Sequence, residues 1–535
     1  MVTDLIPSGV LPWIPLVMVL LSLAAAVAIF PMGEQRVRLR SWVNLTAAAA
    51  KVLLVVMLVP AVVAEGTRPE FSVPFLPLGE DQSIDLVLRV DPLALFFAGL
   101  SAVLWLLTTI YAIGYLEGKP NRSRFFGFFS LCVTATVGIS FSGNLITFLV
   151  FYEILTLVTY PLVAHWGDST SLRAARVYMR YALTGGVAVL IGVIWLTMYA
   201  GPVDFAEEGG AEGVAELAAS SPAVAVAIFV LLVGGMGVKA ALFPLHSWLP
   251  AAMVAPAPVS ALLHAVAVVK AGVFGIVRVI DDVYGIEVAE ELGVLGPLLA
   301  LACFTVLYGS YQALRQDELK KRLAFSTVSQ VSYVVVGVTM VSVLATAGGV
   351  VHLVHQGIMK ITLFFCAGLF AEVLKVHTVS GLRGVGRRMP WTSAAFTVGA
   401  FGMIGLPPTA GFISKWQLGL GALDSGQGWV LAVLLGSSVL NAAYFLPAVW
   451  ALWFGEPERG EPAPGKTGDE EPGLGEAGAG EQPEQRIRDA RVREPRALMV
   501  PAVLTAVFTL VVGLGASLSF APLQIAEAIA EAVFR

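Results

Sequence analysis

The sequence is poor in charged residues. Of its 535 residues, 13% are charged, which is about half of the fraction usual in a soluble domain. With 57% hydrophobic residues and a mean hydropathy of +0.81, the chain has more apolar surface than a soluble fold can bury. We therefore predict a polytopic membrane protein in contact with the lipid bilayer. The net charge of −5 is too small to indicate a nucleic-acid partner.

Motifs for cofactors are also missing. Cys132, Cys303 and Cys366 stand alone in apolar stretches, which argues against an iron–sulfur ligand pattern and a disulfide framework. The sequence has no metal-ligand cluster or nucleophile triad, and its "GEAGAG" lies in a polar segment without a preceding strand. We expect no cofactor, no metal and no covalent chemistry in this chain, and whether it belongs to an enzyme stays open.

Long apolar runs predict the architecture. A run of about 20 apolar residues can cross a bilayer as a helix, and about 14 such spans predict an all-α fold: 11–30, 42–64, 92–116, 125–142, 144–165, 174–200, 223–245, 252–281, 292–313, 323–343, 347–374, 391–421, 429–454 and 498–520. Loops after odd-numbered spans are basic, as at Arg36, Arg38 and Arg40, and the others are not. Because basic loops stay cytoplasmic, we predict a multi-pass protein of the inner (plasma) membrane with both termini outside.

Two five-span units follow from this count, spans 4–8 and spans 9–13. Five is an odd number, so the second unit enters from the opposite side as an inverted repeat. The predicted organisation is spans 1–3 in residues 1–122, the first repeat in 123–284, the second in 285–454, a disordered cytoplasmic loop rich in Gly, Pro and Glu in 455–496, and a last span with a short amphipathic tail in 497–535.

Five ionisable residues interrupt the spans: Glu153, Lys239, Lys270, Lys360 and Lys415. A lysine at the centre of a membrane helix costs at least about 2.5–3.5 kcal/mol on insertion scales. A structural ion pair is a fair explanation for any one of them, but it explains five in one chain poorly. We predict that they mark an ion pathway.

Prolines interrupt two of the same spans. Pro244 in "GVKAALFPLHSWLP" removes a helical hydrogen bond and disrupts span 7 about one turn upstream, close to Lys239. Pro407 and Pro408 in "GLPPTAGF" break span 12 in the same way. Broken helices in corresponding positions of two halves point to an ion site in transporters built from inverted repeats.

Histidines extend this polar line. His246 follows the first break, His264 is in span 8, and His352 and His355 precede the span 11 lysine. Histidine exchanges protons near neutral pH, although a hydrogen-bonded core role is equally compatible with any single one. His352 and His355 also leave open a haem-binding redox protein, and the broken helices leave open an organic-solute transporter.

Several motifs resemble one family. "FYEILTL", "GVKAALFPLHSWLPAAMVAPAPVSALLHAVAVVKAGVF", "STVSQVSYVVVG", "HQGIMKITLFFCAG" and "GLPPTAGFISKW" are similar to the antiporter-like membrane subunits of respiratory complex I, of Mrp-type cation/proton antiporters and of membrane-bound hydrogenases. The similarity extends over about residues 90–455. Within the superfamily the chain most resembles the D subunit of the Mrp antiporter, because span 12 carries a lysine and no long lateral helix follows.

The resemblance implies roles for the matching residues. Glu153 would pair with Lys239, Lys270 would be the central lysine, and Lys415 the terminal one. Many relatives have a histidine four residues before the span 11 lysine, where this chain has Gln356, so the relay around His355 and Lys360 departs from the family pattern.

The expected function is proton translocation in a multi-subunit antiporter, through a midplane relay of Glu, Lys, His and water. The expected partners are other membrane subunits, protons and lipid, with sodium as an open question. The alternative is a proton-pumping subunit of complex I or of a membrane-bound hydrogenase, in which the relay is the same and the partners differ.

Overall fold

A computed structural model describes residues 9–77, 83–206, 210–456 and 491–535. Its helices through the first half are α1 Ile14–Ile29, α2 Val37–Val59, α3 Pro92–Tyr115, α4 Arg122–Ser140, α5 Leu145–Val163, α6 Ser169–Ala200, α7 Glu212–Ser220, α8 Pro222–Ala240, α9 Trp248–Ala251, α10 Ala257–Ala265 and α11 Val268–Arg278. Those of the second half are α12 Ile286–Glu291, α13 Leu295–Leu314, α14 Leu319–Val338, α15 Val343–Leu374, α16 Val385–Arg388, α17 Pro390–Ile404, α18 Ala410–Asp424, α19 Gly428–Phe454, α20 Arg496–Leu514 and α21 Pro522–Val533. Short π-helical turns extend α2 over Pro60–Ala64 and α11 over Val279–Tyr284.

The polytopic helical fold is confirmed. Within the described ranges, 12 helices are long and apolar enough to cross a membrane. Predicted span 10 corresponds to α14, whose first turn is made polar by Lys320 and Lys321, and predicted span 12 is divided into two helices of 15 residues each. The total of 14 spans and the inverted repeats, together with the proposed domain boundaries and the outward termini, stay predictions.

A β-hairpin was not predicted. Strand β1 (Glu70–Pro77) pairs antiparallel with β2 (Ser83–Arg89) between α2 and α3. The hairpin lies against the beginning of α5, where the Val87 amide donates to the Thr147 hydroxyl at 2.8 Å. Strands of eight and seven residues are shorter than a strand that crosses a bilayer, so the hairpin is an addition to the membrane-spanning helices and not a further span.

Three spans are interrupted in the part of the chain that the structure describes. Helix α8 ends at Ala240, as the Pro244 motif predicts, and the next residue, Ala241, has a left-handed backbone with φ +59°. The second predicted break separates α17 from α18. A third break at Val266 and Ala267 separates α10 from α11 and was not predicted, because "HAVAVVKAG" contains neither Pro nor a Gly at that point.

Helix α15 forms the centre of the molecule. The helix has 32 residues, and all those from Ala345 to Phe370 are buried. It packs against seven other helices: α3, α10, α14, α17, α18, α20 and α21. A helix surrounded in this way meets protein on all sides, so its polar side chains face other helices and not lipid.

The predicted disordered loop lies mostly outside the described residues, which resume at Arg491. Its described end is attached to the start of α17. The Glu494 carboxylate accepts hydrogen bonds from the Trp391 amide at 3.2 Å and the Thr392 amide at 3.0 Å, and also from the Thr392 hydroxyl. A carboxylate at this position satisfies amides that the first helical turn leaves free. The predicted tail is helical, and Glu527 on α21 accepts a hydrogen bond from Gln417 at 2.8 Å.

Candidate functional site

Lys239 lies at the end of α8, beside the first helix break. Its side chain is 1% exposed, and its ammonium donates a 2.5 Å hydrogen bond to the Tyr152 carbonyl on α5. The same ammonium lies 3.1 Å from the centre of the Tyr152 ring. The break also frees backbone groups: the Trp248 indole donates to the Val238 carbonyl at 2.7 Å. The lysine is thus held by α5 while the surrounding backbone is satisfied by α9.

Glu153 is close to Lys239 but is not its direct partner. It follows Tyr152 on α5, is half-buried, and its Oε1 atom has no hydrogen-bond partner. A Cβ added at Gly186 of α6 would overlap that atom. Because Glu153 adjoins the residue that binds Lys239, a negative charge on its carboxylate favours a positive charge on that lysine.

Lys270 connects α11 to the central helix α15. It is fully buried on α11, and its ammonium donates to the Leu353 carbonyl on α15 at 2.7 Å. Helices α11 and α8 are in backbone contact, since a Cβ added at Gly272 would overlap the Ala240 nitrogen. Lys239 and Lys270 are therefore carried by two helices whose backbones touch beside the break.

Lys360 and Lys415 are joined by a continuous set of hydrogen bonds, which we call the lysine bridge. Lys360 on α15 donates to the Ser326 hydroxyl at 2.7 Å. The Tyr444 hydroxyl lies 2.9 Å from the Ser326 hydroxyl and 2.6 Å from the Asn441 side-chain oxygen. The Asn441 amide then donates to the Met403 carbonyl at 3.2 Å, and Lys415 donates to the same carbonyl at 2.9 Å.

The second helix break explains how Lys415 is held. Its ammonium also donates to the Ile404 carbonyl at 3.0 Å and to the Ser438 hydroxyl at 3.2 Å. Met403 and Ile404 end α17, where carbonyls lack helical partners and the helix dipole is negative. Lys415 itself is on α18, so its side chain reaches back across the break around Pro407 and Pro408 and binds the end of the preceding half-helix.

The histidines are placed unequally. His352 Nδ1 lies 2.8 Å from the Ser414 hydroxyl, next to Lys415 in the chain, while its Nε2 has no partner. His264 packs on the Phe364 ring at 4.6 Å, and neither ring nitrogen of His264 or of His355 has a protein partner. At the first break the His246 ring meets the Tyr308 ring edge-on, with the ring centres 5.0 Å apart, and 5% of the His246 surface is exposed.

Further unpaired polar groups lie around α15. Buried polar groups are normally hydrogen-bonded, to protein or to water. Among the described residues, polar atoms of Gln330, Tyr333 and Gln356 are buried without a protein partner, as are those of the histidines above. Unpaired polar groups of this kind are the partners that internal water between the lysines would need. Within the described part of the chain, no group of His, Cys, Asp and Glu has the arrangement of a metal site.

Comparison with known proteins agrees with this geometry. The family described as "NADH:quinone oxidoreductase/Mrp antiporter, TM" matches residues 142–441, which include every lysine of the site and both proline breaks. The chain belongs to this family. A second pattern, "NADH-Ubiquinone oxidoreductase (complex I), chain 5 N-terminus", matches residues 75–126.

Individual members of the NADH:quinone oxidoreductase/Mrp antiporter family support the assignment. The chain is 38% identical to NADH-quinone oxidoreductase subunit N of Desulforudis audaxviator, over 68% of this chain and 72% of the relative. It is 30% identical to the A/B subunit of the probable K(+)/H(+) antiporter of Rhizobium meliloti, over 81% of this chain but 42% of the relative.

Solved structures show the same fold. A chain in the Mrp complex from Dietzia sp. matches with a TM-score of 0.80 and 24% identity, and the match covers 98% of this chain and 99% of that one. At this level of identity the likeness is one of fold.

Sequence reasoning missed two members of the lysine bridge. Asn441 and Tyr444 are three residues apart on α19 and share a hydrogen bond. A signal was present, because an asparagine within an apolar span is costly and usually faces protein. It was overlooked because α19 carries no lysine or histidine. The family membership does not depend on these residues, whereas the continuity of the lysine bridge does.

Proposed function

We propose that the chain is the proton-translocating subunit of a multi-subunit monovalent cation/proton antiporter in the plasma membrane, of the Mrp type and nearest to the D subunit of that complex. The observation that carries the proposal is the lysine bridge, because it links the buried Lys360 to the half-buried Lys415 through hydroxyl, amide and carbonyl groups that stabilise charge and can bind water between the two lysines. The multi-subunit complexes to which solved relatives belong support other membrane subunits as partners.

The proposed route runs along the midplane of the bilayer. Glu153 stabilises the charge on Lys239, and a shift of α5 relative to α8 changes that stabilisation and with it the tendency of Lys239 to release its proton. Lys270 is held against α15 by the Leu353 carbonyl, and water carries its proton onward, because a carbonyl only accepts hydrogen bonds. The neighbouring His352 contacts Ser414 on α18, and the lysine bridge joins the remaining two lysines.

Histidine and hydroxyl groups suit the intermediate positions. A neutral imidazole accepts a proton at one nitrogen and donates one from the other. Lysines provide the sites where the charge rests, because carbonyl groups and hydroxyls stabilise an ammonium without a permanent carboxylate partner. Water among the unpaired groups around α15 would complete the steps that protein atoms do not cover.

The test is proton movement in everted vesicles from cells that make the whole complex. Lys239→Ala is expected to abolish sodium-dependent proton movement, whereas Lys321→Ala, at a surface position where 44% of the side chain is exposed, is expected to leave it at the wild-type rate. Wild-type rates in the Lys239 variant, with normal amounts of complex in the membrane, would disprove the proposal.

A redox-driven pump is the second candidate. It is favoured by the similarity to NADH-quinone oxidoreductase subunit N and by the fold shared with a chain of the membrane-bound sulfane sulfur reductase, at a TM-score of 0.79 and 23% identity over 97% of this chain and 99% of that one. Co-purification in mild detergent separates the two. Small hydrophobic subunits without flavin or iron–sulfur proteins support the antiporter, and recovery with such redox proteins supports the pump.

A further inference from the structure

A buried lysine lies outside the route described above. Lys51 is fully buried on α2, in the middle of the span formed by Val37–Ala64. At a rise of 1.5 Å per residue, it lies about 16 Å along the helix from Arg40, near the loop. It is therefore at the depth of a bilayer centre, where a charged ammonium is energetically costly and usually marks a functional site.

The surroundings of Lys51 contain no compensating acid in the described part of the chain. Its ammonium donates to the Ser22 hydroxyl on α1 at 2.8 Å and faces the Trp105 ring on α3 at 4.9 Å. Helices α1 and α3 have no Asp, Glu, Lys or Arg. The charged residues of α4 are Arg122 and Arg124 in its first turn, beside the loop and not beside the ammonium.

Polar side chains connect Lys51 to the loop side of the membrane. We call this set the polar file: Arg40, Asn44, Ser123, Ser130, Thr134, Ser22 and Lys51. All of its members are buried.

The hydrogen bonds of the polar file run from the loop inward. Arg40 donates to the Ser123 hydroxyl at 2.7 Å. Ser130 donates to the Asn44 oxygen at 3.1 Å, and the Thr134 hydroxyl lies 3.0 Å from the hydroxyl of Ser22. The file thus leads from the α1–α2 loop to the ammonium through α1, α2 and α4.

The loop end of the polar file is charged and accessible. Glu34 is exposed and accepts hydrogen bonds from the amides of Ser123 and Arg122 at 3.0 Å each. Burial works against its ionisation, but these hydrogen bonds prevail and lower the pKa of Glu34 below its usual value. The same carboxylate is paired with the Arg122 guanidinium at 3.3 Å, so an acid–base pair in contact with solvent lies at the mouth of the file.

The hydrogen-bond partner of Lys51 is the Ser22 hydroxyl, and a hydroxyl can bind a lysine in both its protonated and its neutral form. A hydroxyl accepts a hydrogen bond from an ammonium and can donate one to a neutral amine, whereas a carbonyl can only accept. Lys360, which binds the Ser326 hydroxyl, has the same kind of partner. Hydroxyl and amide pairs between membrane helices also serve packing, but packing does not require a cation.

We propose that Lys51 is a proton-binding residue fed by the polar file, forming an entry branch separate from both proline-broken spans. The inference rests on proton translocation as the proposed function. A continuation toward the centre is present on α3, where polar atoms of Ser101, Trp105 and Thr109 are buried without a partner in the described structure. Spaced four apart, they share one face of a helix that packs against both α2 and α15.

Two substitutions distinguish a proton carrier from a structural cation. Lys51→Met removes the charge, and Lys51→Arg keeps a charge that cannot be released, since arginine stays protonated in proteins. In the everted-vesicle assay with the whole complex, we expect both to lower the initial rate of proton movement at least fivefold. Wild-type rates in Lys51→Met, or rescue by Lys51→Arg, would overturn the proposal.

Further variants protect the test against loss of folding and separate the two proposals. Thr134→Val keeps the shape of the side chain but removes the contact with Ser22, and we expect at least a twofold lower rate; an unchanged rate would also overturn the entry branch. Lys321→Met is the matched surface control. If Lys239→Ala is inactive while the Lys51 variants are fully active, only the entry branch fails, whereas activity in Lys239→Ala removes the proposed function itself.

Discussion

Tyr444→Phe is the sharpest test of the lysine bridge. The substitution removes one oxygen and leaves the aromatic ring in its fully buried site on α19. Two hydrogen bonds are lost, to the Ser326 hydroxyl at 2.9 Å and to the Asn441 oxygen at 2.6 Å. No other protein atom of the bridge connects these two groups, so the route from Lys360 to Lys415 is interrupted while the lysines stay in place.

The magnitude follows from the two lost contacts. Hydrogen bonds between membrane helices contribute about 0.6 kcal/mol on average and up to about 1.7 kcal/mol, so the pair is worth roughly 1–3 kcal/mol. If proton transfer through the bridge limits the rate, a barrier raised by that amount slows transport by roughly 5- to 140-fold, since about 1.4 kcal/mol corresponds to a factor of ten. The loss of stability is of the same size and should leave the assembled complex intact.

The assay is the initial rate of proton movement in everted vesicles, normalised to the amount of complex recovered from the membrane. Tyr199→Phe is the matched control, because that tyrosine is on α6 with 57% of its surface exposed. We expect the control to behave as wild type. A Tyr444→Phe variant that assembles normally and transports within twofold of wild type would refute the reasoning, because the bridge would then not be the route.

Two further outcomes are expected. Gly186→Ala places a Cβ in the space of the Glu153 carboxylate and should reduce proton movement by displacing that group, whereas Gly234→Ala, which meets nothing within 4 Å, should not; equal rates in both variants would contradict this role. His165, in the loop after α5, is held neutral by burial and then by Arg124, which lower its pKa to about 4. Because the unfolded chain takes up this proton near pH 6.5 and the folded chain does not, the melting temperature should fall as the pH drops from 6.5 to 4. His165→Gln should weaken that dependence, as thermal melts of the purified protein and of the variant would show; an unchanged dependence would contradict this assignment.

The helical membrane fold could be predicted from hydropathy, since lipid leaves a chain few ways to satisfy its backbone. The breaks at Ala240 and after Ile404 followed from proline chemistry. The interruption at Val266 could not be predicted because no residue there forbids a helix, and it depends on tertiary packing.

The site was predictable in its residue types and less so in its contacts. Buried lysines are conspicuous in a membrane span, and their positions alone identified the candidates. Which group each lysine binds was not encoded locally: Lys239 takes the carbonyl of Tyr152 rather than Glu153 Oε1. Lys51 was overlooked because a single lysine between alanines and valines looks like an isolated irregularity until α1 and α4 are placed around it.

Glu494 connects the segment that follows the acidic insert to the position of Lys415. It binds the first turn of α17, and the last turn of that helix holds the Lys415 ammonium. A helix of 15 residues is about 22 Å long and stiff. Fixing its first turn therefore also fixes the position of its last turn. The half-buried Glu494 therefore fixes the position at which the Lys415 ammonium meets the carbonyls at the end of α17. Lengthening the insert upstream of Glu494 would leave the position of α17 unchanged. Removing the hydrogen bonds of Glu494 would allow α17, and with it the binding site of the Lys415 ammonium, to move.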